Sequence, residues 1–308
     1  MAKTRTSTRW RMPYAEAPRY VQMETVIVCN AKCPFCPQHE VQRDPAKMHD
    51  WVWKKIVDET RGMGMVYRPF LINEPFVDKR MPEIMRYIRQ DPTAKIEFNT
   101  NGSLLNDELD REILDIGVDV MRFSIDGFSP EVYAPSRVGL NYERVKERTT
   151  RFLEIWREGG YEESCKTEVR MIDMPENRHE HEAFRAYWEP RCSEVLITEL
   201  YQWPWQGQES CVRKPCWKMT DAMYFYSDGK ATLCCWDPVE RGVIGDVTTH
   251  SVMEIWKSPQ YDAVRELLND GRRELLHLCS RCDAYANHDF SEYEVNPPAR
   301  ESRASGAV

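Results

Sequence analysis

The 308-residue sequence lacks any apolar run that approaches the about eighteen residues of a membrane-spanning helix, and its mean hydropathy is −0.64. The basic amino terminus has no apolar segment after its charges, which excludes a secretory signal. A net charge of −8 disfavours a dedicated nucleic-acid-binding protein, and no repeat or low-complexity block is present. These absences predict a globular, cytoplasmic protein with neither a membrane nor a nucleic acid as its partner.

Cysteine, in contrast, is abundant, with 11 residues in the chain. A reducing cytosol disfavours disulfides, so regularly spaced cysteines indicate metal ligands or redox groups, whereas scattered ones indicate small core residues. Cys165, Cys192 and Cys211 belong to the scattered class. The predicted metal ligands are the seven spaced residues Cys29, Cys33, Cys36, Cys216, Cys234, Cys279 and Cys282.

Short apolar strands alternate with amphipathic helical stretches through the first two hundred or so residues. The predicted strands are 21–28, 65–72, 95–100, 118–126, 167–173 and 194–203. The predicted helices are 51–64, 81–90, 106–117, 142–160 and 177–190. Such βα units predict an α/β protein with a parallel sheet, a partial (β/α)6 barrel whose working residues lie at the carboxyl ends of the strands.

The pattern changes after residue 205. The stretch 223–235 contains an Asp-Gly turn between apolar runs and predicts a β-hairpin, and 251–270 has the spacing of one amphipathic helix. We therefore expect a second, smaller module of hairpin plus helix. The predicted organisation is an amino-terminal extension at 1–20, the barrel at 21–206, the small module at 207–288 and a disordered tail at 289–308.

The segment CNAKCPFC (29–36) directly follows the first predicted strand and supplies three thiolates with no fourth cysteine before Cys165. A structural zinc site would take four protein ligands, whereas three suit a [4Fe–4S] cluster with one iron left for a small molecule. The pattern C-x3-C-x2-C, with Phe35 before its last cysteine, resembles the signature of the radical S-adenosylmethionine (SAM) superfamily. That resemblance implies SAM bound at the open iron, reductive cleavage to a 5′-deoxyadenosyl radical, and a role for Phe35 in the cofactor site.

The resemblance extends to other strand ends. Asn73 and Glu74, in INEPF, occupy the place of the family's acidic motif for the methionine ammonium, with Asn73 replacing the usual glycine. The motifs FNTNG and FSIDG end the third and fourth predicted strands. Further SAM contacts implied by the family are Asn99 or Asn101, Ser124, Asp126 and Arg170, the last against the methionine carboxylate. For the two asparagines and the aspartate, plain turn chemistry is an equal alternative.

The later cysteines form the pattern C-x12-G-x4-C followed by C-x2-C. Composition alone leaves zinc and an iron–sulfur cluster equally open. The spacing resembles the SPASM and twitch modules of radical SAM enzymes. Because no cysteine follows Cys282, we expect the shorter twitch type with one auxiliary, fully ligated [4Fe–4S] cluster, with Cys211 and Cys235 as alternative ligands.

An auxiliary cluster without a free iron is expected to accept or relay an electron. The chain most resembles enzymes of the 2-deoxy-scyllo-inosamine dehydrogenase type in aminoglycoside antibiotic biosynthesis. This implies an oxidoreductase that takes hydrogen from a carbon of a sugar, aminocyclitol or aminoglycoside-like substrate, with a flavodoxin or ferredoxin-type reductant. Related epimerases quench the radical with a thiol, and Cys235 is the candidate hydrogen donor here; a packing thiol is the alternative. The aromatic stretch 201–208 is either a sugar-stacking wall or a linker.

Two other classes compete with this interpretation. SPASM-type enzymes also modify ribosomally made peptides, but only about twenty residues precede the first predicted strand, which is short for a leader-binding domain. A non-catalytic electron-transfer or zinc protein leaves INEPF, FSIDG and the three-cysteine loop unexplained. The sequence does not single out a catalytic base; His39, Arg137 and Asp237 are candidates to face the cavity.

Overall fold

The computed structural model describes residues 14–41, 43–44, 46–200 and 216–282. The aromatic stretch 201–208, Cys211 and the predicted tail lie outside these residues. None of the helices in the described ranges is long and apolar enough to cross a membrane.

Six parallel strands form the main sheet, in the spatial order of the sequence. They are β1 (Tyr20–Met23), β2 (Val66–Arg68), β3 (Lys95–Thr100), β4 (Val120–Ser124), β5 (Lys166–Asp173) and β6 (Glu194–Glu199). The prediction of an α/β protein with a parallel sheet is confirmed, and β3 has the predicted bounds. The first two predicted strands are too long, because the chain leaves the sheet after Met23 and after Arg68 to build the loops at their carboxyl ends.

Helices follow the strands on the outside of the sheet, as predicted. They are α1 (Asp50–Glu59), α2 (Met81–Ile88), α3 (Asp107–Ile116), α4 (Pro130–Ser136), α5 (Tyr142–Glu158) and α6 (His181–Trp188). Short 3-10 turns are Pro37–Glu40, Pro75–Val77, Tyr161–Glu163, Arg178–Glu180, Trp217–Met219 and Arg273–Leu275. The local signals at α3 act as expected: Asn106 accepts from the first free backbone N–H groups, and Gly117 ends the helix at φ 99°. The short helix α4 was not predicted.

The carboxyl-terminal part consists of β7 (Ala222–Phe225), β8 (Lys230–Thr232), β9 (Val243–Asp246), α7 (Val252–Trp256) and α8 (Pro259–Asn269). The hairpin prediction is confirmed by the antiparallel β7–β8 pair. The single helix predicted at 251–270 is wrong: it is two helices, because Pro259 has no N–H with which to continue α7. Ser251 and Ser258 cap the two helices separately.

The hairpin also extends the main sheet. Strand β7 pairs in parallel with β1, with Tyr20 opposite Ala222 and Met23 opposite Phe225. The result is one nine-stranded sheet with the order β6-β5-β4-β3-β2-β1-β7-β8-β9. The cysteines around β7 and β8 are therefore held against the same strand that leads into the three-cysteine loop.

One acidic side chain is buried in the helical layer. Asp110 of α3 is 0% exposed, and neither of its carboxylate oxygens accepts a hydrogen bond within the described residues. Burial, aided by the nearby Asp107, raises the pKa of Asp110 to about 7. The folded protein consequently retains a proton that the unfolded chain releases at much lower pH.

We expect Asp110→Asn to stabilise the protein increasingly as the pH rises. A carboxyl whose pKa is raised by folding loses stability from its unfolded pKa up to its folded pKa, so the advantage of Asn should grow by about 1 kcal/mol between roughly pH 6 and pH 8. Thermal unfolding of the anaerobic holoprotein at both pH values measures it. Glu108→Gln, an exposed change on the same helix, is the control, and a difference independent of pH would contradict the assignment.

Candidate active site

The carboxyl ends of β1 to β5 surround a cavity of about 550 Å³. Its wall also includes Cys235 and Trp236, which follow β8, so one cavity borders both the three-cysteine loop and the thiol next to the predicted auxiliary ligand Cys234. The predicted site residues on this wall are Cys29, Cys33, Phe35, Cys36, Asn73, Glu74, Asn99, Asn101, Ser124, Arg170 and Cys235. Two of the three side chains considered as bases, His39 and Asp237, are not part of it.

The three-cysteine loop is held from two sides. The backbone N–H of Lys32 donates to the carbonyl of Val138 (2.8 Å), and Asn30 Nδ2 donates to Ser103 Oγ (2.8 Å). Burial raises the pKa of Cys29 to about 12 and raises the pKa of Cys33 and of Cys36 as well. A bound cluster would have to displace these protons, because cysteine ligates metals as the thiolate.

Within the described ranges, no three His, Cys, Asp or Glu side chains are arranged around a single metal ion. The corners of an iron–sulfur cluster are ligated separately, so its thiolates need not converge on one point.

Arg137 lies beside this loop, in a role that the sequence did not indicate. Its guanidinium forms a buried ion pair with Asp126 (2.6 Å), lies 3.7 Å from Cys33 Sγ and stacks 5.4 Å from the centre of the Phe35 ring. Burial alone would lower the pKa of Arg137, but the negative charges of Asp126 and Cys33 have the larger effect and raise it. The arginine thus holds a positive charge next to a cluster ligand.

Asp126 does not line the cavity. One carboxylate oxygen accepts from Arg137, and the other accepts from the backbone N–H of Ile172 (2.8 Å). Both oxygens are used inside the protein, so Asp126 positions Arg137 and joins the ends of β4 and β5. A direct contact with SAM stays a prediction from the family resemblance alone.

Glu74 is 3% exposed and faces the end of β3. It accepts from Thr100 Oγ1 (2.7 Å) and from the backbone N–H of Asn101 (2.8 Å). Burial raises the pKa of Glu74 to about 7 against these hydrogen bonds. A buried carboxyl at this position fits the binding of an amino group, since a positively charged or hydrogen-donating partner relieves the cost of burial.

Two amide groups on the same wall have unused hydrogen-bonding atoms. Asn73 Nδ2 and Asn99 Oδ1 are buried and have no partner within the described residues, while Asn73 Oδ1 accepts from the backbone N–H of Leu71. Buried polar atoms are rarely left unpaired in native proteins. A bound molecule with donors and acceptors, as SAM has, would satisfy both.

A row of charged side chains crosses the inner face of the sheet from β2 to β5. Arg68 pairs with Glu97 (2.8 Å), and Arg122 pairs with Glu97 (2.8 Å) and with Glu168 (3.0 Å). Arg170 completes the row, with Nε 3.0 Å from Glu168. The sequence analysis expected only Arg170 at this position, with the carboxylate of SAM as its anionic partner. In the structure Arg170 also has a partner within the protein, Glu168, which lies two residues earlier in β5 and therefore on the same face of the sheet.

The auxiliary cysteines lie around the β7–β8 hairpin. Burial, together with Cys216, raises the pKa of Cys279, and the hydrogen bond with Cys235, together with burial, raises the pKa of Cys234. The backbone N–H of Trp236 donates to Cys234 Sγ (3.4 Å). Cys282 follows in the turn after Cys279, whose carbonyl accepts from its backbone N–H (3.2 Å).

Neighbouring Cys234 and Cys235 differ in what they face. Cys235 lines the cavity, and Lys218 Nζ lies 3.6 Å from its Sγ. The hydrogen bond shared with Cys234, together with Lys218, lowers the pKa of Cys235. The sequence alone could not decide which of the two adjacent thiols faces the cavity.

The class of protein follows from these features and from family models. A model described as the radical SAM superfamily matches residues 23–187, and one described as an iron-sulfur cluster-binding domain, SPASM, matches residues 216–283. The first spans more than half of the chain, so the protein belongs to the radical SAM superfamily. It therefore uses SAM, a SAM-binding [4Fe–4S] cluster and an auxiliary [4Fe–4S] cluster, as the family resemblance of the cysteine motifs implied.

Among curated proteins, a probable GTP 3′,8-cyclase of Methanococcus maripaludis is 28% identical over 144 residues, 46% of this chain and 48% of that one. The AdoMet-dependent heme synthase of Methanosarcina barkeri is 28% identical over 171 residues, 52% of this chain and 45% of that one. The chain spans about half the length of these relatives. Their reactions therefore do not transfer to it.

Solved structures extend the likeness to nearly the whole chain. BtrN in complex with AdoMet and 2-DOIA has a TM-score of 0.63 at 14% identity, covering 88% of this chain and 94% of its own. Native anSMEcpe with bound AdoMet has a TM-score of 0.64 at 14% identity, and the match covers 90% of this chain and 93% of that one. Streptococcus suis SuiB bound to the precursor peptide SuiA has a TM-score of 0.65 at 12% identity, and the match covers 92% of this chain and 76% of that one. At these identities the likeness shows the fold alone.

Proposed function

We propose that this protein is a radical SAM oxidoreductase that removes a hydrogen atom from a carbon of a hydroxylated small molecule, such as a sugar or cyclitol, and so oxidises or epimerises it. The observation that carries the proposal is the single cavity bordered by both the three-cysteine loop and Cys235. We also propose a flavodoxin or ferredoxin-type protein as reductant.

The bound cofactors supply a 5′-deoxyadenosyl radical, and the chain's own residues position what it acts on. Glu74 and the unused amide atoms of Asn73 and Asn99 offer hydrogen bonds to SAM from the wall of the cavity. Arg137 keeps a positive charge at Cys33, which favours the thiolate form of that ligand. Phe35 packs against the guanidinium and shields it from water.

The position of the auxiliary cysteines supports oxidation. They flank a hairpin that is hydrogen-bonded to β1, so their distance from the three-cysteine loop is set by one continuous sheet. An alcohol oxidised after hydrogen abstraction must lose one more electron and one proton. A redox group ligated by Cys234 would lie next to Cys235, which lines the cavity, and so would be suitably placed to receive that electron.

Epimerisation is the second candidate, and Cys235 on the cavity wall favours it. The thiol would give its hydrogen atom to the substrate radical, and the thiyl left behind would then take up one electron and one proton. Peptide modification is the third alternative: SuiB, whose structure contains its precursor peptide, shares the fold with this chain, but, like BtrN, at low sequence identity.

Anaerobic incubation with SAM and dithionite tests the proposal. We expect 5′-deoxyadenosine to form, and to form faster with a sugar or cyclitol than with peptides when a panel of both is screened. In deuterated water, oxidation yields a carbonyl with no solvent deuterium at the reacting carbon, whereas epimerisation incorporates one deuterium there. Failure to form 5′-deoxyadenosine under any condition would refute the proposal.

Cys235→Ser separates the two outcomes. If Cys235 is the hydrogen donor, we expect at least about a hundredfold loss of epimer with 5′-deoxyadenosine formation retained, since a serine O–H is too strong a bond to donate a hydrogen atom. If the reaction is an oxidation, product formation should change little. Cys192→Ser, at a half-buried thiol that donates to Trp188 O, is the matched control.

A further inference from the structure

The wall of the cavity is rich in positive charge. Its cationic side chains are Arg68, Arg122, Arg137, Arg170 and Lys218. Among the described residues of the wall, Glu74 is the one carboxyl group, and its pKa of about 7 leaves it less than fully charged near neutral pH. Behind the wall, the three carboxylates of Glu97, Asp126 and Glu168 pair with the four arginines, so the cations still outnumber their acidic partners.

Three of these cations lie against a cysteine or have an expected use with SAM. Arg137 lies against Cys33, and Lys218 lies against Cys235, next to the auxiliary cysteines. Arg170 is expected, from the family resemblance, to meet the carboxylate of SAM. Arg68 and Arg122 remain, and neither is close to a cysteine of the three-cysteine loop by any contact in the described residues.

The two arginines are only partly satisfied by the row of charges. Arg68 donates through Nε to Glu97, and Arg122 donates through Nε to Glu168 and through Nη1 to Glu97. Within the described part of the chain, Nη1 of Arg68 and Nη2 of Arg122 donate no hydrogen bond. Both side chains line the cavity, so these N–H groups are available to a ligand.

The electrostatics of the row agree with the geometry. Burial alone would raise the pKa of Glu97 and of Glu168, yet their arginine partners lower both. Burial, assisted by Arg122 and Arg68, lowers the pKa of Arg170 despite its pairing with Glu168. The surroundings thus stabilise the charged forms of Glu97 and Glu168 and destabilise the charged form of Arg170. Both effects indicate a positive electrostatic potential along the row.

We propose that the substrate bears a carboxylate or phosphate group and that Arg68 and Arg122 bind this anion while SAM occupies its own part of the cavity. The inference rests on the proposed function and narrows it, from hydroxylated small molecules in general to sugar acids or sugar phosphates. Guanidinium groups match the geometry of both anions, because parallel N–H groups can donate to two oxygens at once.

The test is equilibrium binding to the anaerobic holoprotein saturated with SAM and left unreduced, so that no turnover occurs. Calorimetry compares four probes of one ring type: glucose, glucuronate, glucose 6-phosphate and glucosamine. We expect the carboxylate or the phosphate probe, or both, to bind at least about tenfold more tightly than glucose, and glucosamine to bind most weakly. The two anionic probes distinguish a carboxylate site from a phosphate site.

Variants connect the preference to the row. Arg68→Gln should lower the affinity for the preferred anionic probe about tenfold, while Arg68→Lys should restore part of it. Arg68 is preferred to Arg122 because Glu97 keeps its Arg122 partner when Arg68 is changed. Arg86→Gln, at an exposed arginine paired with Glu112 on the outside of the barrel, should leave the affinity unchanged, and iron content verifies that each variant is folded.

Three results would overturn the inference. The first is binding of the anionic probes no tighter than that of glucose, including the absence of measurable binding by any probe. The second is anion binding that disappears when SAM is present, which would assign the arginines to the cofactor. The third is an anion preference unaffected by Arg68→Gln. Faster formation of 5′-deoxyadenosine with a sugar or cyclitol than with peptides, in the separate assay, would show that the proposed function stands even when the inference fails.

Discussion

Replacing Cys33 with alanine is expected to abolish formation of 5′-deoxyadenosine and to reduce the iron content from about eight to about four atoms per chain. Cys33 is the most buried of the three loop cysteines and the one that Arg137 contacts. Two thiolates cannot hold a cluster that also binds SAM, so the loss should exceed a thousandfold, or about 4 kcal/mol in the barrier.

The measurement combines iron and sulfide analysis with quantification of 5′-deoxyadenosine after anaerobic reconstitution. Cys165→Ala is the matched control, since this thiol is 1% exposed and lies in the apolar core, away from the cavity wall. Retention of SAM cleavage by Cys33→Ala, or its loss in Cys165→Ala with the fold intact, would show that the three-cysteine loop is not the SAM-binding site.

The second large effect concerns the auxiliary site. Cys216→Ala and Cys234→Ala should each reduce the iron content by about four atoms while cleavage of SAM continues. Conversion of substrate should then fall by at least about a hundredfold, because the electron released by the substrate radical has no acceptor. Iron analysis and product analysis on the same preparations separate the two effects.

Comparison with Cys235→Ala decides which neighbouring thiol is the ligand. Cys234 accepts a backbone hydrogen bond, whereas Cys235 lines the cavity, so we expect Cys235→Ala to keep its iron. Loss of iron from Cys235→Ala but not from Cys234→Ala would reverse the assignment. A preparation with about four irons and one zinc would exclude an electron acceptor at this site and favour a redox-neutral reaction.

Much of the fold was accessible from local sequence signals. The Asn cap and terminal glycine of α3, the alternation of apolar residues in β3 and the turn of the β7–β8 hairpin depend on residues within one element. The bounds of β1 and β2 were missed because apolar residues continue past the point where the hydrogen-bonded ladder ends. Apolarity alone does not distinguish a strand from a buried loop.

The sequence by itself determined the class of chemistry. It did so through short motifs: the three cysteines at fixed spacing, INEPF after the second strand and the later cysteine pairs. Each motif can be recognised within a few residues of sequence, because its ligand-binding groups are neighbours in the chain. The tertiary structure alone decided how these motifs combine. It placed β7 beside β1, brought Arg137 from beyond β4 to Cys33, and turned Cys235 rather than Cys234 to the cavity.

The row of charges illustrates the physical reason. Each of its glutamates and arginines is an unremarkable polar residue within its own strand, and the row forms only when four parallel strands are aligned in register. The ion pairs of the row, the burial of its side chains and its electrostatic potential all arise between residues that are tens of positions apart in the sequence and meet across the sheet. They depend on the relative placement of strands, which no single stretch of sequence encodes.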